Sequence, residues 1–83
     1  MKIDFDPEAD AAYLLINESK IIESEEVMPG VIFDFNELGG VVGVEILGIK
    51  KKDSRHLLSL KIPFDSHEDF KEFESFLIAR AKV

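Results

Sequence analysis

The stretch from Val31 to Leu47, VIFDFNELGGVVGVEIL, decides the fold of this chain. Apolar and polar residues alternate over 31–35, which is the period of a strand with one buried face. Asn36 to Gly40 is typical of a hairpin loop, because its glycines adopt positive φ without a steric penalty. A second alternating run, from Val41 to Ile49, predicts the partner strand, so the sequence indicates an antiparallel hairpin.

The residues before this hairpin predict three further strands. Ile3 to Phe5 alternates, and Asp6 to Asp10 carries the proline and aspartates of a turn. Ala11 to Asn17 is apolar on both sides, which predicts a strand inside the sheet with both faces covered. Lys20 to Val27 contains three glutamates, a composition typical of an edge strand protected against unwanted pairing.

The residues after the hairpin predict a short strand and a helix. Leu58 to Ile62 alternates, and Pro63 ends its hydrogen bonding. Asp65 or Ser66 is expected to cap a helix. The apolar stripe of that helix consists of Phe70, Phe73, Phe76, Leu77 and Ala81, with Glu72 and Lys82 on the polar side. The fold class predicted is α+β: one antiparallel sheet of four to five strands, with a single C-terminal helix packed on one face.

Length and composition limit the class of protein. The chain has 83 residues, 46% of them hydrophobic, and lacks cysteine. We therefore expect a single domain over residues 1–83 that has a core but neither disulfides nor thiolate chemistry. No apolar run approaches the roughly 20 residues needed to span a bilayer. The N-terminus lacks a signal-peptide stretch, so the expected location is the cytoplasm, without a membrane partner.

Charge is divided unevenly along the chain. Residues 1–49 hold eleven acids and two bases, a net charge of −9, whereas residues 50–83 hold eight bases and six acids, a net of +2. Most of the bases form a basic strip, defined as Lys50, Lys51, Lys52, Arg55 and Lys61. The basic strip is either a solvated connection or a contact for an anion or a partner. Nucleic acid is not the expected ligand, because a net charge of −7 repels phosphates at long range.

Three segments of the sequence carry a family resemblance. Phe5–Tyr13, Pro29–Phe35 and Gly39–Leu47 together resemble the small prokaryotic family called domain of unknown function 2283, over about residues 3–49. Phe5 stands where the family usually has tyrosine, and Val44 where isoleucine is usual. The family has no established activity. Some members lie beside small toxin-like proteins, so the resemblance implies an antitoxin-like role toward a small basic partner.

Four acidic residues are candidates for chemistry: Asp6, Asp10, Asp34 and Glu45. If Asp34 and Glu45 share a sheet face, their carboxylates would bind a hard cation such as Mg²⁺ through oxygen. Together with Asp10, they define a candidate metal site and the alternative function of a metal-dependent hydrolase. In the opposing interpretation, the aspartates at 6 and 10 cap the turn, and the other two acids lie on a solvated or dimer surface.

Other catalytic and binding motifs are missing from the sequence. His56 and His67 lack zinc-site spacing, and we expect both at the surface. No nucleophile elbow or phosphate-binding loop is found, and no catalytic residue or cofactor is expected. Since one helix covers only one face of the sheet, a second copy of the chain is the simplest cover for the other. The expected homodimer pairs its sheets face to face or edge to edge. The sequence therefore favours a non-enzymatic, homodimeric interaction module.

Overall fold

The computed structural model describes residues 1–81, which form a five-stranded sheet, a 3-10 turn and two α-helices. The strands are β1 (Lys2–Asp6), β2 (Ala11–Leu15), β3 (Glu23–Met28), β4 (Val31–Phe35) and β5 (Val41–Leu47). The 3-10 turn (Ile49–Lys51), α1 (Ser54–Leu58) and α2 (His67–Ala81) follow. The prediction for Lys82 lies outside the described residues. Within residues 1–81, no helix is both long and apolar enough to cross a membrane.

The sheet is antiparallel throughout, with the strand order β1-β2-β5-β4-β3. The predicted β4–β5 hairpin is confirmed, with Gly39 in its loop at a φ of 80°. The glutamate-rich strand β3 lies at one edge, as its composition predicts. Strand β2 lies inside the sheet between β1 and β5. With α2 following the sheet, the predicted α+β class is confirmed.

Both helices contribute to the core on one side of the sheet, which we call the covered face. Leu14, Val44 and Ile46 on this face are fully buried. In the helices, Leu57 of α1 and Phe73 and Leu77 of α2 are at most 2% exposed. These residues belong to one hydrophobic cluster, so burial of apolar surface holds the helical layer on the sheet.

The start of α2 confirms the predicted cap. The hydroxyl oxygen of Ser66 accepts a hydrogen bond of 3.2 Å from the amide of Asp69. This bond satisfies one of the amides that have no partner within the first helical turn. The cap fixes where α2 begins and thereby which of its residues face the sheet.

Several predicted bounds are wrong, and one predicted strand is absent. Strand β2 ends at Leu15 rather than Asn17, and β3 covers Glu23–Met28 rather than residues 20–27. Residues 54–58 form α1 and residues 59–66 are irregular, so no strand exists at Leu58–Ile62. The Asp53 carboxylate accepts a hydrogen bond of 2.8 Å from the Arg55 amide, and this N-cap starts a helix just before the alternating run. Strand β5 ends at Leu47 rather than Ile49, because Gly48 turns the chain at a φ of 65°.

Candidate functional site

The sheet has a second surface, which no helix among the described residues covers. We call it the open face. Because side chains alternate along a strand, the registers of the sheet determine which residues lie there. They are Lys2, Asp4 and Asp6 of β1, Ala11, Tyr13 and Leu15 of β2, Gly43, Glu45 and Leu47 of β5, Ile32 and Asp34 of β4, and Ser24 and Glu26 of β3. Asp34 and Glu45 therefore share a face, which was the condition on which the sequence argument depended.

A hydrogen-bonded chain crosses the open face from β2 to β3. The Tyr13 hydroxyl donates to Oδ2 of Asp34 at 2.8 Å, and the Ser24 hydroxyl donates to Oδ1 of the same carboxylate at 2.6 Å. One carboxylate thus ties together side chains from β2, β4 and β3. Charge-assisted hydrogen bonds of this kind are about twice as strong as neutral ones.

Tyr13 reaches Asp34 only because Gly43 lies between them. The strand β5 separates β2 from β4, and Gly43 is the residue of β5 directly beside Asp34. A methyl group on Gly43 would lie 2.9 Å from Cε2 of the Tyr13 ring, and nearer still to Cζ and the hydroxyl. The missing side chain of Gly43 is therefore the space that the tyrosine ring occupies.

The environment of Tyr13 holds its proton firmly. Burial, the hydrogen bond to Asp34 and the negative charges of Asp34 and Glu45 raise the pKa of Tyr13 from 10.0 to about 12. Each of these influences disfavours the phenolate. Tyr13 is therefore protonated at neutral pH and donates a hydrogen bond to Asp34.

Carboxylates dominate the charge of the open face. Its strand residues include five acids and one base, Lys2. Between them lie apolar side chains that are only partly buried, among them Leu15 and Ile32, while Leu47 is 41% exposed. A groove of about 430 Å³ runs over Ala11 and Leu47, with Asp4, Asp6 and Glu45 along its sides. The surface therefore offers apolar contact and negative charge together.

The candidate metal residues do not form one group. Among residues 1–81, no set of three or more histidine, aspartate or glutamate side chains is placed to hold a metal ion. The Asp10 carboxylate accepts from the Lys50 amide at 3.1 Å, while that of Asp34 is bonded to Tyr13 and Ser24. The carboxylate oxygens of both residues thus already have protein partners. Asp6 also binds its own turn, since it accepts from the Glu8 amide at 3.0 Å.

Two members of the basic strip have partners within the chain. Lys52 Nζ donates to the carbonyl oxygen of Leu47, and Arg55 makes an ion pair of 3.0 Å with Asp53. Lys50, Lys51 and Lys61 are exposed. The strip as an anion or partner contact remains a prediction, with three exposed lysines as its available charges. His56 and His67 are exposed, as predicted.

Sequence reasoning missed the roles of Tyr13, Gly43 and Ser24. One signal was present, because an isolated glycine inside an apolar strand often marks a close approach by another group. The identity of that group does not follow from the sequence. Tyr13 and Asp34 lie on strands that are not neighbours, and the tyrosine reaches across β5.

Comparison with protein-family models gives a match over the strand region of the chain. The family model described as protein of unknown function (DUF2283) matches residues 2–50, which is more than half of the chain. No curated protein and no solved structure matches it. The matched residues contain all five strands, and therefore the whole open face. The chain belongs to this family of unknown function.

Proposed function

We propose that this member of the family is a non-enzymatic interaction module, and that its open face binds a basic protein partner. The observation that carries the proposal is the combination of partly exposed apolar side chains with five carboxylates on one sheet face that no described helix covers. Apolar patches rimmed by polar groups are typical of interaction sites.

The charge of the surface supports a basic partner over a second copy of this chain. Two open faces brought together would place five carboxylates of one copy against five of the other. Like charges facing each other across an interface cost several kcal/mol. A cationic partner would be attracted instead, and its approach would be accelerated by the negative potential.

The rigidity of the surface supports a role in binding. Asp34 joins three strands through Tyr13 and Ser24, so the middle of the open face is held in one arrangement before any partner arrives. Pre-organised surfaces lose less conformational entropy on association. A tyrosine with a pKa of about 12 suits this structural role better than proton transfer at neutral pH.

The groove beside Tyr13 suits the side chain of arginine or lysine. Such side chains have an apolar stem and a charged end. Ala11 and Leu47 would contact the stem, while Asp4 and Glu45 on opposite sides of the groove would attract the charge. A small basic toxin-like protein has this chemistry, so we extend the proposal to an antitoxin-like role toward such a protein.

Calorimetric titration tests the proposal with a defined probe, a short peptide of alternating leucine and arginine. We expect binding that weakens as salt is added, because the attraction is electrostatic. Glu45→Gln should weaken binding by about two- to fivefold, the equivalent of one exposed ion pair. Glu72→Gln, an equal charge change on the exposed side of α2, is the matched control. Equal losses for the two variants, or absence of binding, would refute the proposal.

A further inference from the structure

The two edges of the sheet differ in their capacity to accept another strand. Strand β3 presents Glu23, Glu25 and Glu26, and its register is shifted between Glu26 and Met28. Charge and irregularity are both devices that block edge pairing. Strand β1 pairs with β2 over all five of its residues without a shift and contains no proline. The β1 edge is thus regular while the β3 edge is not.

The alternating hydrogen-bonding directions of the strands determine which backbone groups of β1 point away from the sheet. The Leu47 amide donates to the Gly30 carbonyl at 2.7 Å on the β4 side, and the Ile16 amide donates to the Val42 carbonyl of β5 at 2.8 Å. Since hydrogen-bonding directions alternate along antiparallel strands, residues 11, 13 and 15 of β2 bond to β1. Their partners in β1 are residues 2, 4 and 6.

It follows that the amides and carbonyls of Ile3 and Phe5 point outward. Within residues 1–81, β1 makes no backbone hydrogen bond outside its ladder with β2. Both side chains lie on the covered face and are only half-buried. Among the described residues, the β1 edge therefore has two unpaired donors, two unpaired acceptors and two half-buried apolar side chains, of which Phe5 packs against Phe76 and beneath Arg80.

The sequence of β1 is complementary to itself about Asp4. If two copies of β1 pair antiparallel with Asp4 on the twofold axis, Ile3 lies opposite Phe5 of the second copy, and Lys2 lies opposite Asp6. The outward groups of Ile3 and Phe5 then form four hydrogen bonds across the axis. Apolar and opposite-charge cross-strand pairs both stabilise a sheet.

We propose that a second copy of this chain pairs with the β1 edge, joining two five-stranded sheets into one continuous antiparallel sheet. The inference does not rest on the proposed function, because the outward backbone groups of Ile3 and Phe5 form the contact, even though Lys2, Asp4 and Asp6 also lie on the open face. In this dimer, two open faces lie side by side on the same surface. Edge pairing places only the two Asp4 carboxylates opposite each other, whereas a dimer formed face to face opposes five carboxylates with five.

Amide hydrogen exchange tests the pairing most sharply. At high protein concentration, the amides of Ile3 and Phe5 should be protected, and dilution should remove that protection as the dimer dissociates. The Asp4 amide bonds within the same copy, so its exchange should change little and serves as the internal control. Sedimentation should show the mass of two 9.4 kDa chains at the higher concentration.

Charge variants provide a second readout. Asp4→Asn removes the repulsion between the two carboxylates on the axis and should tighten the dimer about two- to fivefold. Lys2→Asp replaces two attractive pairs with repulsive ones and should weaken it about tenfold or more. Glu25→Gln and Lys20→Asp are the matched controls, and should leave the dissociation constant unchanged. A monomer at every concentration, or a dimer without protection of Ile3 and Phe5, would overturn the proposal.

Discussion

Tyr13 is the residue on which the arrangement of the open face depends. Its hydroxyl bonds Asp34, its ring fills the space above Gly43, and its proton is held by burial and by two nearby carboxylates. From the sequence alone, a shared face for Asp34 and Glu45 is only a condition of the metal-site hypothesis. The sequence contains no sign of the tyrosine between them, because a side chain that reaches across a strand leaves no periodic signal.

Titration of Tyr13 should give a pKa of about 12 in the folded chain. The measurement is direct, because the chain contains one tyrosine and no tryptophan, so its absorbance reports this phenol alone. Asp34→Asn should lower the pKa toward 10.0, because it removes the adjacent negative charge. A pKa near 10.0 in the unmodified folded chain would contradict the described environment.

The raised pKa of Tyr13 also predicts how the free energy of unfolding changes in alkaline solution. The folded chain holds the phenol proton more tightly than the unfolded chain. The stability that this proton contributes is therefore fully present below pH 10.0 and is lost as the pH rises toward 12. Urea unfolding across that range should show a steeper loss of stability for the parent than for Tyr13→Phe. Parallel curves for the two proteins would show that Tyr13 is not responsible.

Gly43→Ala should destabilise the fold by about 1–3 kcal/mol, because the new methyl group displaces the Tyr13 ring. Denaturant unfolding measures the loss, and Tyr13→Ala provides the test of its cause. In the Tyr13→Ala variant the ring is absent, so Gly43→Ala should lower the free energy of unfolding only slightly. An equal cost in both backgrounds would mean that Gly43 is required for another reason.

Asp10 has two structural roles, one through its backbone conformation and one through its carboxylate. Its φ is 52°, and its carboxylate accepts from the Lys50 amide. Asp10→Ala should cost about 1–3 kcal/mol through backbone strain and a lost hydrogen bond. Asp10→Asn should cost less, since asparagine tolerates this backbone conformation and keeps an acceptor. If both variants unfold at the same urea concentration, this account of Asp10 is wrong.

At the scale of elements, strands were easier to predict than short helices. An alternating pattern predicts both a strand and the face that it buries. For this reason β1, β4 and β5 could be predicted from the sequence. Helix α1 spans only five residues, too few for a helical period to be visible. Its start depends on the Asp53 cap. The leucines that follow this cap in the sequence also match the alternating pattern of a strand, which is why a strand was predicted at Leu58–Ile62.

The attachment of α2 should depend on its buried stripe. Phe73 is 1% exposed, and its ring centroid lies 5.6 Å from that of Phe64. Phe73→Ala should lower the free energy of unfolding by about 3–5 kcal/mol. Ile78→Ala, on the same helix but 49% exposed, should have an effect of less than about 1 kcal/mol. Similar losses for the two would contradict the orientation of α2.

At the scale of the whole molecule, the described residues form two layers, a sheet and a helical layer, and one face of the sheet has no helix on it. The helices cover one face, and the strands bring five of the eleven acids of residues 1–49 together on the other. The charge division along the sequence predicted an acidic surface, and the registers of the sheet determine its position. The partner's identity does not follow, because a partner's sequence leaves no trace in a single chain.

The most direct test of the central claim is to map a basic probe on the surface by nuclear magnetic resonance. During titration with the leucine–arginine peptide, we expect backbone amide shifts concentrated at Tyr13, Leu15, Ile32, Glu45 and Leu47. The exposed acids of α2 should be unaffected, although they carry the same charge. Shifts distributed over every acidic residue, or confined to the helices, would contradict the assignment of the open face as the binding surface.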